Sequence, residues 1–346
     1  MLQLQNSTPF AAQIAVLPDV RGIDTLYVMV KATFALGARL EVADPQPPVL
    51  LADEYWGEPG TSSLKYASDV HLTKLSTDLV LVGQAYAPGR KPVAQLDVSL
   101  AVGKKKKVVR VFGDREWRPG FLFFPAAKTK PEPFKTMPLV YERAFGGLHE
   151  IEGKKPEVLF EPRNPVGSGF AGKRRGGKLK GLALPNLEDP ADFVRSPKSA
   201  PAPAGFGFVA PAWEPRRSFA GTYDDAWIKQ RAPYLPRDFN PRFFNTAHPD
   251  LVCDGYLTGG ERVEAVNVTP SAVLSFRLPV CELRATVRVA GREEKPALNM
   301  ETVLIEPDDA RVSLLWRGAV PCDKNPLKVE AIQVELGRLD LDGSAG

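Results

Sequence analysis

The chain predicts a mainly β fold: a β-sandwich or barrel-like scaffold of antiparallel strands, with a long ordered loop region and few short helices. Three observations lead there. Runs rich in β-branched and aromatic residues, many alternating polar and apolar, fill the first and last thirds of the 346 residues. Turn signals punctuate these runs at short intervals, as sheets of short strands require. Between Pro131 and Asp250 lie 17 of the 33 prolines together with 16 of the 31 aromatic residues. Disorder at such proline density is accompanied by few rings, because large rings bury enough area to offset the entropy of ordering. The middle is therefore expected to be ordered, irregular loops pinned by buried Trp, Tyr and Phe. This divides the chain into a β-rich region 1–130, a loop-rich aromatic segment 131–250 packed on the scaffold, and a β-rich region 251–346. Whether the two ends form one sandwich or two stays open.

The first expected strand covers residues 25–36, with Tyr27, Met29, Lys31 and Thr33 on one face and Val28, Val30, Ala32 and Phe34 on the other. That pattern describes a strand half buried against a core. Strands at 78–86, 94–102 and 106–112 follow, punctuated by Pro88-Gly89 and Gly103. The last third continues with 262–268, 273–278, 282–289, 298–305, 311–316 and 328–336, where Gly291-Arg292 and Pro307-Asp308-Asp309 form hairpin turns. The best helix is 222–231, with Thr222 as cap, Asp225 at the third helical position and Pro233 as the stop. Residues 138–145 and 190–195 are each suited to one short helical turn. No repeat, heptad or low-complexity run is present.

Composition excludes several function classes. Lys plus Arg is 45 against 41 for Asp plus Glu, and a net charge of +4 is too small to require a polyanionic partner. The three cysteines, Cys253, Cys281 and Cys322, have no paired or zinc-like spacing, which suits a reducing compartment. The first residues lack a basic region and are broken by Asn6, Ser7, Thr8 and Pro9, so no secretory signal is expected. No apolar run reaches membrane-spanning length. A cytoplasmic protein with no cofactor, no metal, no nucleic acid and no membrane partner is expected.

Catalytic signatures are missing as well. There is no phosphate loop, no Gly-x-Ser-x-Gly elbow and no His-Glu-x-x-His helix. His71, His149 and His248 stand alone in sequence. The carboxylates Glu188, Asp224 and Asp238 lie among aromatics and are the raw material of a glycosidase cleft, although such acids equally serve as caps and arginine partners. A carbohydrate-active or other hydrolytic enzyme is thus the alternative reading. Two basic runs, 104–107 with Arg110 and 173–180, suit solvated faces or the docking of an acidic protein. Trp213, Arg216, Phe219, Tyr223, Trp227 and Arg231 crowd into nineteen residues, with Phe243 and Phe244 shortly after. These are side chains enriched at interface hot spots, and they serve equally as core. They are the candidate partner-binding residues.

The chain as a whole carries phrases that resemble a known family. They include Val30-Lys31-Ala32-Thr33-Phe34, Gly113-Asp114-Arg115 with Trp117, and Tyr141-Glu142-Arg143-Ala144-Phe145-Gly146-Gly147. Asn164-Pro165-Val166-Gly167, Leu184-Pro185-Asn186-Leu187-Glu188, Gly221-Thr222-Tyr223-Asp224 with Trp227, and Arg242-Phe243-Phe244-Asn245 continue the series nearly end to end. On these the chain resembles the domain-of-unknown-function family 2169, whose members are encoded beside spike and PAAR proteins of bacterial type VI secretion systems. The resemblance implies a non-enzymatic adaptor or chaperone that holds an effector toxin or its PAAR-containing region, with the spike protein as a further partner, and helps load it onto the spike. It carries over no catalytic residue. The chain departs from some relatives at residues 69–74, where a proline-containing loop is common, and no appended repeat domain is expected.

Overall fold

The computed structural model describes residues 3–120, 126–153, 155–322 and 328–343. Its principal strands in chain order are β1 (Leu4–Asn6), β2 (Ala11–Pro18), β3 (Asp24–Leu36), β4 (Asp78–Leu81), β5 (Gln95–Val102), β6 (Lys105–Phe112) and β7 (Leu187–Glu188). Beyond the aromatic segment come β8 (Arg262–Val266), β9 (Val273–Arg277), β10 (Val280–Val289), β11 (Arg292–Glu294), β12 (Asn299–Glu306), β13 (Arg311–Pro321) and β14 (Val329–Asp340). One sheet has the order β2-β3-β13-β12-β4, with Leu40–Val42 paired to the end of β3. A second runs β7-β6-β5-β8-β9, and a third runs β1-β14-β10-β11. These sheets are open, so the scaffold is sandwich-like and not a closed barrel among the described residues. Two principal pairings are parallel, β1 with β14 and β4 with β12. The antiparallel expectation is corrected there, because long excursions separate these strands in sequence and free their direction from the hairpin constraint.

Each sheet draws on both ends of the chain. β3 lies between β2 and β13, β5 between β6 and β8, and β14 between β1 and β10. One contiguous apolar core contains Val28 and Leu314 of the first sheet, Val98 and Val263 of the second, Ala285 and Val334 of the third, and Tyr141, Phe206 and Trp213 of the middle segment. The three sequence regions therefore pack around a shared interior. Each fully buried large apolar side chain contributes about 1.5–3 kcal/mol, which is what holds proline-rich loops in one conformation.

The expectation that β3 is half buried is corrected. Residues 25–34 are buried on both faces. The second face is covered by the excursion that follows β3, where Met29 packs with Val49 and Leu315 and the Lys31 ammonium lies 2.9 Å from Asp69. Where β2 ends at the Ala11–Lys31 pair, the Gln46 amide continues the ladder by accepting from Thr33 N–H and donating to Thr33 C=O. Polar residues on that face are thus satisfied internally.

One helical expectation also changes: residues 190–195 form no helix, because the Asp189 carboxylate accepts from Ala191 N–H and closes a turn. Within 138–145 the short helical turn is present, as a 3-10 turn at Tyr141–Arg143. Strand β2, unpredicted because Ala-Ala-Gln-Ile-Ala-Val-Leu-Pro scarcely alternates, pairs along most of β3. No helix among the described residues is long and apolar enough to cross a membrane.

Candidate functional site

Residues 213–244 build a small module around one helix, α1 (Asp225–Gln230). Its cap is Asp224, whose carboxylate accepts from Trp227 N–H at 2.8 Å, so the expected Thr222 cap is displaced by two residues. Thr222 is committed elsewhere: its N–H and hydroxyl both donate to the Asp238 carboxylate, at 3.0 and 2.7 Å. Those two bonds hold the Asp238 carboxyl below its ordinary range.

The inner side of the module is stapled to the turn between β2 and β3. The Trp227 indole donates to Tyr234 C=O at 2.8 Å. Arg231 donates to the carbonyls of Leu235 and Val20, each at 2.8 Å, and of Arg21 at 3.3 Å, with its guanidinium over the Tyr234 ring. Gly22 sits at φ +87°, and a Cβ there would lie 3.1 Å from the Tyr234 ring. Gly22→Val is therefore expected to lower stability by about 2 kcal/mol through backbone strain and lost ring packing. Limited trypsin digestion should then cut faster after Lys229 and Arg237 than in the parent protein.

With its inner side held, the module presents Tyr223 and Ile228 outward, 53% and 60% exposed. The Tyr223 ring stands edge-on to Trp227 with centroids 4.8 Å apart. Ile228 is absent from the sequence candidates; an apolar β-branched residue set between Trp227 and Lys229-Gln230 is the one signal the sequence offers for it.

The other candidates divide by burial. Trp213 is buried, edge-to-face on Tyr141 at 5.7 Å. Arg216 is buried, donating to the carbonyls of Phe243 at 2.9 Å and Val209 at 2.6 Å, with its guanidinium over Phe243. Burial lowers its pKa to about 10 against the attraction of Asp53 and Asp78. Of the two roles open to these residues the structure gives them the interior one: their side chains are spent on internal partners. Phe243 and Phe244 pack with Phe239, and Phe244 also stacks on His71 at 5.8 Å. Phe219 is half-buried beneath the Arg242 guanidinium. The exposed part of the candidate set is therefore Tyr223, beside a half-buried Trp227 and joined by Ile228.

A buried polar clasp ties the end of this segment to the first sheet. Asp78 accepts from the Lys74 ammonium at 2.6 Å, from Thr246 N–H at 2.7 Å and from the Asn245 amide at 2.9 Å. Lys74 N–H donates to Glu301, whose second oxygen receives the Arg317 guanidinium at 2.7 Å. Arg317 also donates to His71 Nε2, leaving His71 Nδ1–H to donate to Leu72 C=O. Burial, then the Arg317 and Lys74 charges, hold His71 well below its ordinary pKa.

Each carboxylate of the hydrolytic alternative has a structural partner. Glu188 is buried 2.5 Å from Arg115 and accepts from Val194 N–H, while Asp224 caps α1 and Asp238 binds Thr222. Glu188 stands on β7, apart in the fold from the α1 module. A wide cleft of about 1060 Å³ lies beside Arg115, lined by Asp114, Glu116, Arg118, Lys130, Glu132 and Arg143 among others. Its charges of both signs partly satisfy one another, with Asp114 accepting from Asn186 at 2.9 Å and Arg143 at 3.4 Å.

Two of the four lysines at 104–107 are neutralised, Lys107 by Asp250 at 2.6 Å and Lys105 by Asp254 at 3.0 Å, and nearby Arg110 is paired with Asp97. Among the described residues no group of three or more His, Cys, Asp or Glu is placed to hold a metal ion. Cys253 and Cys281 are free thiols, and burial pushes Cys253 up to about 11.

No curated protein and no solved structure matches the chain. One family model, described as an uncharacterized protein conserved in bacteria, matches residues 21–317. That stretch reaches from the Gly22 turn through the whole aromatic segment to Arg317 of the clasp, so the features built here lie within it. The chain belongs to the domain-of-unknown-function family 2169, uncharacterized proteins conserved in bacteria.

Proposed function

We propose that this protein is an adaptor or chaperone that binds a type VI secretion effector, or its PAAR-containing region, and assists its loading onto the secretion spike. One observation carries the reading. The α1 module presents Tyr223 and Ile228 to solvent while its inner face is held by Arg231, Trp227 and Gly22. An apolar protrusion ordered before it meets a partner loses little entropy on binding. The carboxylates a hydrolase would use act as cap, turn bond and buried ion pair, which favours binding over hydrolysis. In this role the adaptor covers an apolar segment of the effector in the cytoplasm and releases it at the spike, so the complex is stable yet exchangeable.

Co-expression with the proteins encoded on either side, followed by tagged pull-down and size-exclusion chromatography, tests this. A complex that raises the partner's melting temperature is expected. Tyr223→Ala with Ile228→Ala should weaken it about 10- to 100-fold without changing the adaptor's own melting curve. If neither neighbour co-purifies or gains stability, the reading fails.

A further inference from the structure

A second exposed apolar element stands apart from α1. Leu148–Ile151 and Glu157–Phe160 pair as a ribbon of only two strands. Its register sets Leu148 opposite Phe160 and Glu150 opposite Val158, so these four side chains share one face. On that face Leu148, Val158 and Phe160 are 47%, 58% and 45% exposed, whereas His149, Ile151 and Leu159 on the other face are half-buried. The base of the ribbon is tied to the body by hydrogen bonds. The buried Asn164 amide donates to the carbonyls of Tyr141 and Phe145, and Glu161 N–H donates to Gly147 C=O.

The last bond fixes the ladder. With Gly147 and Glu161 as a hydrogen-bonded pair, alternation makes Leu148–Phe160 and Glu150–Val158 the non-bonded pairs, whose N–H and C=O groups point away from the partner strand. On the Leu148 side this edge is touched by Arg174, which donates toward Leu148 C=O at 3.5 Å. On the other side the outward backbone groups of Val158 and Phe160 have no partner among the described residues. An apolar face beside an open strand edge is the geometry of strand addition.

Charge selects the occupant. Residues 173–180 carry five basic side chains and no acidic one, while the whole chain nets only +4. This run packs against the ribbon: Lys173 N–H donates to His149 Nδ1 at 3.0 Å, and its ammonium meets Glu157 at 2.5 Å. Arg175, Lys178 and Lys180 are exposed and have no carboxylate partner among the described residues.

We infer that the Glu157–Phe160 edge accepts an extended, acidic segment of the secreted cargo as a third strand. Its alternating apolar side chains cover Leu148, Val158 and Phe160, and its carboxylates reach Arg175, Lys178 and Lys180. This inference rests on the adaptor reading and names the partner's chemistry.

The test uses the full chain and whichever neighbouring-gene product binds it. Three variants are compared with the parent protein: Val158→Asp with Phe160→Asp, Lys178→Glu with Lys180→Glu, and Val158→Pro, each checked for an unchanged melting curve. Cargo affinity should fall at least about 30-fold in the first variant. The second should weaken binding at low salt and flatten its salt dependence. Val158→Pro removes an outward N–H while keeping an apolar side chain, and should weaken binding about tenfold. In the parent complex the amides of Val158 and Phe160 should become protected from hydrogen exchange.

Cargo that binds all three variants like the parent protein overturns the ribbon as the site and leaves the adaptor reading standing. Self-association abolished by the aspartate pair, with cargo binding unaffected, also overturns it, because the occupant is then a second copy. Absence of any neighbour complex with the parent protein overturns both.

Discussion

Asp78→Ala is expected to lower the unfolding free energy by about 3–5 kcal/mol, read as a shift of the urea midpoint. Asp78 is fully buried at the start of β4, and its two oxygens serve the Lys74 ammonium, the Thr246 N–H and hydroxyl, and the Asn245 amide. Removing the carboxylate leaves the ammonium in the interior with only the hydroxyls of Thr302 at 2.9 Å and Thr246 at 3.5 Å among the described residues, and strands the Thr246 N–H. An uncompensated buried charge, more than any lost attraction, dominates that penalty. The control is Lys74→Met in the same background. With no ammonium left to strand, the double variant should be less destabilised than the sum of the singles by about 2 kcal/mol. Strict additivity would mean that the pair does not act as a unit. Asn245 and Thr246 end the aromatic segment, so Asp78→Ala should also raise proteolytic cleavage within 213–244 before global unfolding.

Stability should fall as pH drops from 6.5 toward 4, with a substantial part of the slope due to buried histidine. His248 Nδ1 accepts from Asp250 N–H at 3.2 Å and Nε2–H donates to Pro203 C=O at 3.1 Å, so the neutral ring is satisfied at both nitrogens. Burial and the nearby Lys107 charge lower its pKa to about 4, against the attraction of the Asp250 carboxylate 3.5 Å away. The sign follows from linkage. A histidine depressed in the fold leaves the unfolded chain binding more protons below pH 6.5, so its contribution is complete above that value and is lost on the way down. Over that window His248 alone accounts for about 3 kcal/mol. His71, neutral beside the Arg317 guanidinium, acts in the same direction. Urea midpoints between pH 6.5 and 5 should show this slope, and His248→Gln should make it shallower while lowering stability at pH 7. An unchanged slope in that variant would assign the acid loss to other groups.

Fold class was legible because strand periodicity and turn chemistry are local properties. The runs expected at 94–102, 262–268 and 273–278 fold as strands Gln95–Val102, Arg262–Val266 and Val273–Arg277, and the rings among the prolines announce an ordered middle. The candidate site was legible only as a list. Trp213 and Tyr223 sit ten residues apart with similar chemistry, yet one lies in the core against Tyr141 and the other faces solvent. That difference depends on which side of each loop meets the sheets, a long-range property that composition does not encode. The cap at Asp224 was likewise decided at a distance, by Asp238 capturing Thr222.

The sequence by itself thus determined that the chain would be β-rich, with an ordered aromatic segment and no common catalytic signature. Tertiary structure alone decided that both ends share each of the three principal sheets, that β3 is covered on both faces, and which rings remain exposed. It also set the basic run 173–180 against His149 and Glu157, on the face of the ribbon opposite its exposed apolar side chains. The physical reason is that local backbone preference acts over a few residues, whereas burial, pairing direction and charge neighbourhood are settled by contacts between segments tens to hundreds of residues apart.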